Sequence, residues 1–470
     1  MTEYDTIIRN AAVLTPEGLG DYDLAIAGGK IAALLPRGTG EATNVIDGTG
    51  QHLLPGAIDI HFHIRAPAYP ERGTVASETR AAAAGGITTL FEMPITKPCC
   101  NTAERVELRR AHFAEHAFIN FSMFGAPGDL DPSSIAGMAD AGAIAFKMFT
   151  TRAPEGRDDE FTGLAFPDEA DQMLALKAVA PSGLPLVVHA ESAQLLTLAE
   201  QATRRLDLSD TETHLLARPD MCEAVAVAKL LTMNMEARAK LHIAHVTSAL
   251  TVDILRRFKG TSDFSAETCP HYLFRTHHDI KRAGVFGKIN PPVRTQADQD
   301  ALWSAISDGT ITHVTTDHAA FSHAEKLAGA HNMIDAPPGS PGSEVLVPSM
   351  LDAVSQGRLS LQHAMALLSG NAASRFALPG KGRIEVGTDA DLILVDLAAV
   401  TEISADTLLS FARDVAHLYY GARFNGRVTR TLVSGRSAFD GTVVGKPGWG
   451  HYARPARHAS PATTLTEARA

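Results

Sequence analysis

The sequence predicts an α/β protein: a (β/α)₈ barrel of TIM type over residues 55–380, with a smaller β-domain built from both ends of the chain, residues 1–54 and 381–470. Three observations carry this. Between Ala57 and about Thr316, short apolar runs alternate with helix-like segments, the pattern of a parallel sheet. Eight such runs end at His63, Met93, Phe124, Phe149, Ala190, His245, Thr268 and Asp317, and eight strand–helix units in roughly 260 residues match the size of such a barrel. Outside that stretch, both ends of the chain show short strand-like runs broken by Gly and Asp, and joining them in one domain keeps the termini together.

In chain order, Thr6-Ile7-Ile8-Arg9-Asn10 and Ala12-Val13-Leu14 read as strands, and the Gly28-Gly29 pair between Asp23–Ala27 and Lys30–Leu34 is a hairpin signal. The first barrel strand, Ala57-Ile58-Asp59-Ile60, is apolar and runs into His61-Phe62-His63; period-two alternation puts both imidazoles on one side. A helix over Ser77–Ala84 is stopped by Gly85-Gly86, and Cys222–Leu231 reads as another helix. The fourth barrel strand, Ala143–Phe149, carries Lys147 in an otherwise apolar run. Leu186-Val187-Val188-His189, His242-Ile243-Ala244-His245 and Val314-Thr315-Thr316-Asp317-His318 supply further polar strand ends. Arg383–Asp396 and Val428–Gly435 return to short strands.

The bulk numbers exclude several classes. A chain of 470 residues exceeds one ordinary core, and 45% hydrophobic with 20% charged residues is the composition of a soluble globular protein. No apolar run approaches the ~18 residues of a membrane span. A net charge of −11 provides no basic footprint for nucleic acid or for an anionic membrane. Cys99, Cys100, Cys222 and Cys269 lack disulfide or Cys-x-x-Cys spacing and read as reduced thiols. Met1-Thr2-Glu3-Tyr4-Asp5 has no basic head or apolar stretch, so a cytoplasmic location is expected.

Catalysis in this fold sits at the C-terminal strand ends. There the sequence gathers His61, His63, Lys147, His189, His245 and Asp317. Each has a plain alternative: a hydrogen-bonded core histidine, or a lysine extending its amine to solvent. Their common location on one rim points instead to a metal centre. Charge then explains the lysine. Two divalent cations bring four positive charges, neutral imidazoles none, and Asp317 a single negative one. A carbamylated Lys147 would be a carboxylate able to bridge two metals about 3.5–4 Å apart, with a bridging hydroxide as nucleophile.

Longer motifs carry a resemblance: Pro55-Gly56-Ala57-Ile58-Asp59-Ile60-His61-Phe62-His63, Phe146-Lys147, His189-Ala190-Glu191, Ile243-Ala244-His245-Val246, Glu267-Thr268-Cys269-Pro270-His271-Tyr272-Leu273, Asn290-Pro291-Pro292-Val293-Arg294 and Thr316-Asp317-His318-Ala319. Together they resemble the amidohydrolase superfamily, in its cyclic-amide branch of dihydroorotases, allantoinases and hydantoinases. The resemblance implies a barrel with a β-sandwich from both termini and two divalent metal ions of zinc type. It implies His61, His63 and Asp317 on one metal, His189 and His245 on the other, and carbamylated Lys147 between them. Asp317 would move the proton in hydrolysis of a ring C–N bond. The expected partner is a small cyclic amide or ureide, and the expected assembly a homodimer or homotetramer.

Substrate features are mixed. Arg65, Asn290 and the Glu325-Lys326 pair resemble dihydroorotases, in which Arg65 and Asn290 would contact substrate. Ile95 and Phe321 stand where those enzymes usually carry Asn and His, which implies a less anionic or differently shaped ring. Glu92-Met93-Pro94 and Ala301-Leu302-Trp303 look closer to allantoinases, and the tyrosine that hydantoinases carry after the bridging lysine is missing from Met148–Arg152. The alternatives are a hydantoinase-type imide hydrolase and a non-catalytic scaffold of the same fold, which bound metal per chain separates.

Overall fold

A computed structural model describes residues 4–206, 208, 210–330 and 332–456. The outermost parts of the two terminal segments, residues 1–3 and 457–470, lie outside the described residues. Barrel strands Ala57–His63, Ile87–Glu92, Asn120–Gly125, Ala145–Phe149, Pro185–His189, Lys240–Ile243 and Phe264–Thr268 pair in parallel, each with the next. The eighth strand is split. Its first piece, His313–Val314, pairs with Glu267 and Thr268, and its second, His318–Ala319, pairs with Phe62 and His63. The two outer edges of the sheet are thus pieces of one strand, and the ring is closed.

Inside the ring, Ile58, Ile60, Phe91, Phe124, Ala145, Val187 and Phe376 form one apolar cluster. Phe376 plugs it, its ring centroid 5.2 Å from that of Phe91. Ala145 and Val187 lie two positions before Lys147 and His189, so the polar groups stack above this floor. On the first strand the parity changes: Ile58 and Ile60 join the floor, yet His61 reaches Lys147. Plain alternation forbids that. Pairing slips by one residue here, Asp59 opposing Leu90 and Phe62 opposing Glu92, and such a bulge re-aims the side chains beyond it.

The first helix, Val75–Ala84, starts at Thr74, whose hydroxyl accepts from the Ser77 N–H in a capping box. It ends where a Cβ on Gly85 would stand 2.1 Å from the Ser343 carbonyl and where Gly86 takes φ 86°. The Gly28-Gly29 turn has φ 56° and 78° and joins Asp23–Ala27 to Lys30–Leu35, as the hairpin signal predicts.

Two further sheets come from the ends of the chain. One orders Lys30–Leu35, Asp23–Ala27, Tyr4–Arg9 and Ala42–Asp47; the other orders Arg436–Phe439, Arg423–Val433, Leu392–Glu402, His52–Pro55, Ala12–Thr15 and Gly18–Gly20. His52–Pro55 pairs antiparallel with Leu392–Glu402, so the two ends interleave in one sheet. Arg383–Val386 differs from the strand expected of it. Thr388 turns the chain there, donating from its hydroxyl to the Glu385 carbonyl at 2.7 Å, and Gly387 takes φ 90°. No helix among the described residues is long and apolar enough to cross a membrane.

Candidate active site

The strand ends converge as their sequence positions require. His61 Nε2 stands 3.3 Å from Lys147 Nζ and 3.2 Å from Asp317 Oδ1. His63 Nε2 lies 3.4 Å from the same oxygen. Ligand atoms of His61, His245 and Asp317 all fall within 4.8 Å of one another. The His189 ring meets that of His245 edge to face at 4.6 Å and stacks on Phe149 at 4.7 Å. His189 is held differently from the others, because its Nε2 is 2.8 Å from a Glu191 oxygen.

Backbone strain marks the same places. Arg65, His245 and Asp317 adopt φ 64°, 35° and 46°, conformations that a non-glycine residue holds only when its surroundings impose them. His245 and Asp317 lie just past regular strand, at the end of Lys240–Ile243 and in the break of the eighth strand.

Electrostatics keep the groups ready for a cation. Burial holds His63 down to about 3 and His245 well below the usual imidazole value, so both rings are neutral at neutral pH. Burial likewise brings the Lys147 amine down to about 8, against the opposing pull of Glu267 and Asp317. Burial works against ionisation of Asp317, but His61, His63 and His245 outweigh it and keep the carboxyl below its usual range. His63 Nδ1 and His245 Nδ1 are buried without a hydrogen-bond partner. Neutral imidazoles, a carboxylate and orphaned ring nitrogens at this spacing fit a divalent cation.

A cavity of about 790 Å³ opens over these groups, within the range of small-molecule sites. Arg65, Ile95, Asn290 and Phe321, expected from the sequence to face substrate, all line it. Lys147 does not line it; the lysine is wholly buried beneath His61. The Arg65 guanidinium lies 4.6 Å over the Phe321 ring and donates to the Ala320 carbonyl at 2.9 Å. Ile95 packs with Cys99, Ala126, Phe161 and Leu164.

The amidohydrolase family model matches residues 52–438. The chain belongs to that family. An allantoinase of Rubrobacter xylanophilus is 34% identical over 97% of this chain and 99% of its own. A dihydroorotase of Halobacterium salinarum is 34% identical over 83% and 87%. Among solved structures, an L-hydantoinase of Arthrobacter aurescens superposes with a TM-score of 0.90 at 28% identity, covering 96% of this chain and all of the other.

In this amidohydrolase the sequence reading left out the groups that hold the histidines. Glu267, 0% exposed in the strand Phe264–Thr268, binds His61 Nδ1 through one oxygen and His242 Nε2 through the other at 3.1 Å. His242 continues the chain to the Ser265 hydroxyl at 2.7 Å. Glu267 thereby turns the His61 Nε2 toward Lys147 and Asp317. Arg218 backs Glu191 in the same way behind His189. The available signal was a carboxylate inside a buried strand, which must have a charged or donor partner. Glu267→Gln should retain the fold and lower metal affinity about 10–100-fold, read by metal content after dialysis against a graded chelator; unchanged retention would show that His61 needs no such support.

Proposed function

We propose that this site hydrolyses the ring C–N bond of a cyclic amide or ureide, with an uncharged five- or six-membered cyclic ureide such as allantoin or a substituted hydantoin as the preferred substrate. The observation that carries the reading is the contact of His61 with both Lys147 and Asp317 beneath a cavity bordered by His63, His189 and His245. His61, His63, His189, His245, Asp317 and Lys147 would hold two divalent cations of zinc type. When bound, such cations polarise the ring carbonyl and acidify a water molecule.

The protein's own groups do the rest. Lys147, neutral in part because it is buried, adds through its amine to carbon dioxide; an N–C bond forms, a proton leaves, and the resulting carbamate supplies the negative charge the histidines lack. Asp317 takes a proton from the attacking water and passes it to the departing ring nitrogen. Arg65 and Asn290 orient the ring.

The choice of an uncharged ring rests on Ile95 and Phe321. Neither can donate to a free carboxylate, and each lost charge-assisted contact is worth roughly 1.5–3 kcal/mol. Two such losses lower discrimination for dihydroorotate by about two to four orders of magnitude. In kcat/KM measurements, allantoin or a substituted hydantoin should exceed dihydroorotate, and Ile95→Asn with Phe321→His should gain on dihydroorotate. A parent that already prefers dihydroorotate, or a double variant that gains nothing, rejects this substrate choice.

A further inference from the structure

The segment Lys288-Ile289-Asn290-Pro291 borders the cavity through Lys288, Ile289 and Asn290. Three side chains outside the metal-facing set each hold one of its carbonyl groups. Lys326 Nζ donates to the Lys288 carbonyl at 3.1 Å, His214 Nε2 stands 3.0 Å from the Ile289 carbonyl, and the Tyr272 hydroxyl donates to the Pro291 carbonyl at 2.7 Å. They come from three separate helices, His323–Ala328, Asp210–Ala217 and Pro270–Phe274. All three are buried, Lys326 and His214 at 0% and 1% exposure. Burying an amine, an imidazole and a phenol is unfavourable unless each makes its bond, and here all three bonds go to one short segment.

A segment whose carbonyls are fixed also has fixed side-chain directions. Lys288, 3% exposed, donates to the Ile334 carbonyl at 2.6 Å, and an ammonium carries three donors. The carboxylates around it are already engaged: Asp335 and Glu200 are both bound by Arg204. Arg218 adds positive charge on the same side. Burial, reinforced by Arg218, lowers the amine to about 7, so an approaching oxygen readily draws it into the charged form.

We propose that Lys288 is a specificity-determining residue, donating to an acceptor oxygen on an arm that extends from the substrate ring, such as a ureido carbonyl, and that Lys326, His214 and Tyr272 are positioning residues that hold its segment in place. This rests on the ring-hydrolysis reading above. It assigns recognition of the substituent to a residue apart from Arg65 and Asn290.

The test compares three hydantoin rings on the metal-loaded protein: one with a ureido arm (allantoin), one with a carboxymethyl arm, and one with an ethyl arm. Lys288→Met should lose on the order of 10–100-fold in kcat/KM on the first two and stay within about twofold on the third. Lys288→Arg should recover most of the loss. His214→Phe should raise KM about tenfold on all three rings with kcat and metal content unchanged, and His214→Gln, which keeps a donor, should restore it. An equal loss on the ethyl ring in Lys288→Met, or lost metal in His214→Phe, overturns the assignment. A parent that turns over none of the rings defeats the hydrolysis reading instead; thermal-shift binding of the same ligands then still reads Lys288 by the same contrast.

Discussion

Lys147→Ala is expected to lose bound metal and ring hydrolysis together, with kcat falling by at least about three orders of magnitude. The lysine is fully buried, stands 3.3 Å from His61 Nε2, and is surrounded by groups that cannot replace its charge. Around it lie imidazoles and two carboxylates, Asp317 and Glu267, the second already engaged by His61 and His242. On the proposed reading, removing Lys147 would take away the anionic ligand that its carbamate would provide, while the apolar floor of Ala145, Val187 and Phe376 stays in place. The fold should persist, so metal content and circular dichroism separate loss of ligation from loss of structure. Short carboxylic acids such as acetate or propionate can enter the vacated space and should restore part of both metal binding and rate. A Lys147→Ala protein with full metal content and full activity sinks the bridging role.

Asp317→Asn should behave differently: metal largely retained, rate reduced on the order of 10²–10⁴-fold, the usual share of general acid–base catalysis. An amide can still offer an oxygen toward His61 and His63, which lie 3.2 and 3.4 Å from the carboxylate. It cannot take up a proton from water and return it to nitrogen. Strained backbone, φ 46° at Asp317, fixes the carboxylate at the break of the eighth strand. Activity near that of the parent would mean the carboxylate is only a ligand.

Much of this arrangement was legible in the sequence. The predicted strand ends at His63, Phe149 and Thr268 coincide with observed ones, since an apolar run stopping at a polar residue is a local signal. His245 and Asp317 were found as site candidates, although they sit beyond regular strand in strained backbone that alternation does not describe. The bulge between Asp59 and Phe62 was not legible, because it depends on what the neighbouring strand presents. Nor was the pairing of Glu267 with His61, which are 206 residues apart, or the approach of Arg72 to Phe321 at 4.7 Å. Periodicity reports which way a side chain faces; it is silent on which distant partner meets it. At Arg383–Val386 the period-two texture misled, since Gly387 and Thr388 build a turn with hydrogen bonds of its own.

The split eighth strand also sets the order in which the molecule can be made. It closes the ring against the first strand, and Thr316 Oγ1 reaches the His61 carbonyl across 255 residues. Closing a loop of that length opposes folding by about 5 kcal/mol of chain entropy. Long-range pairing of this kind forms late. On the ribosome, then, His61 and His63 emerge early but have no Asp317 to face until nearly the whole barrel has been synthesised. The pocket is among the last features to exist, and a divalent cation would meet its full set of candidate ligands only once the ring has closed.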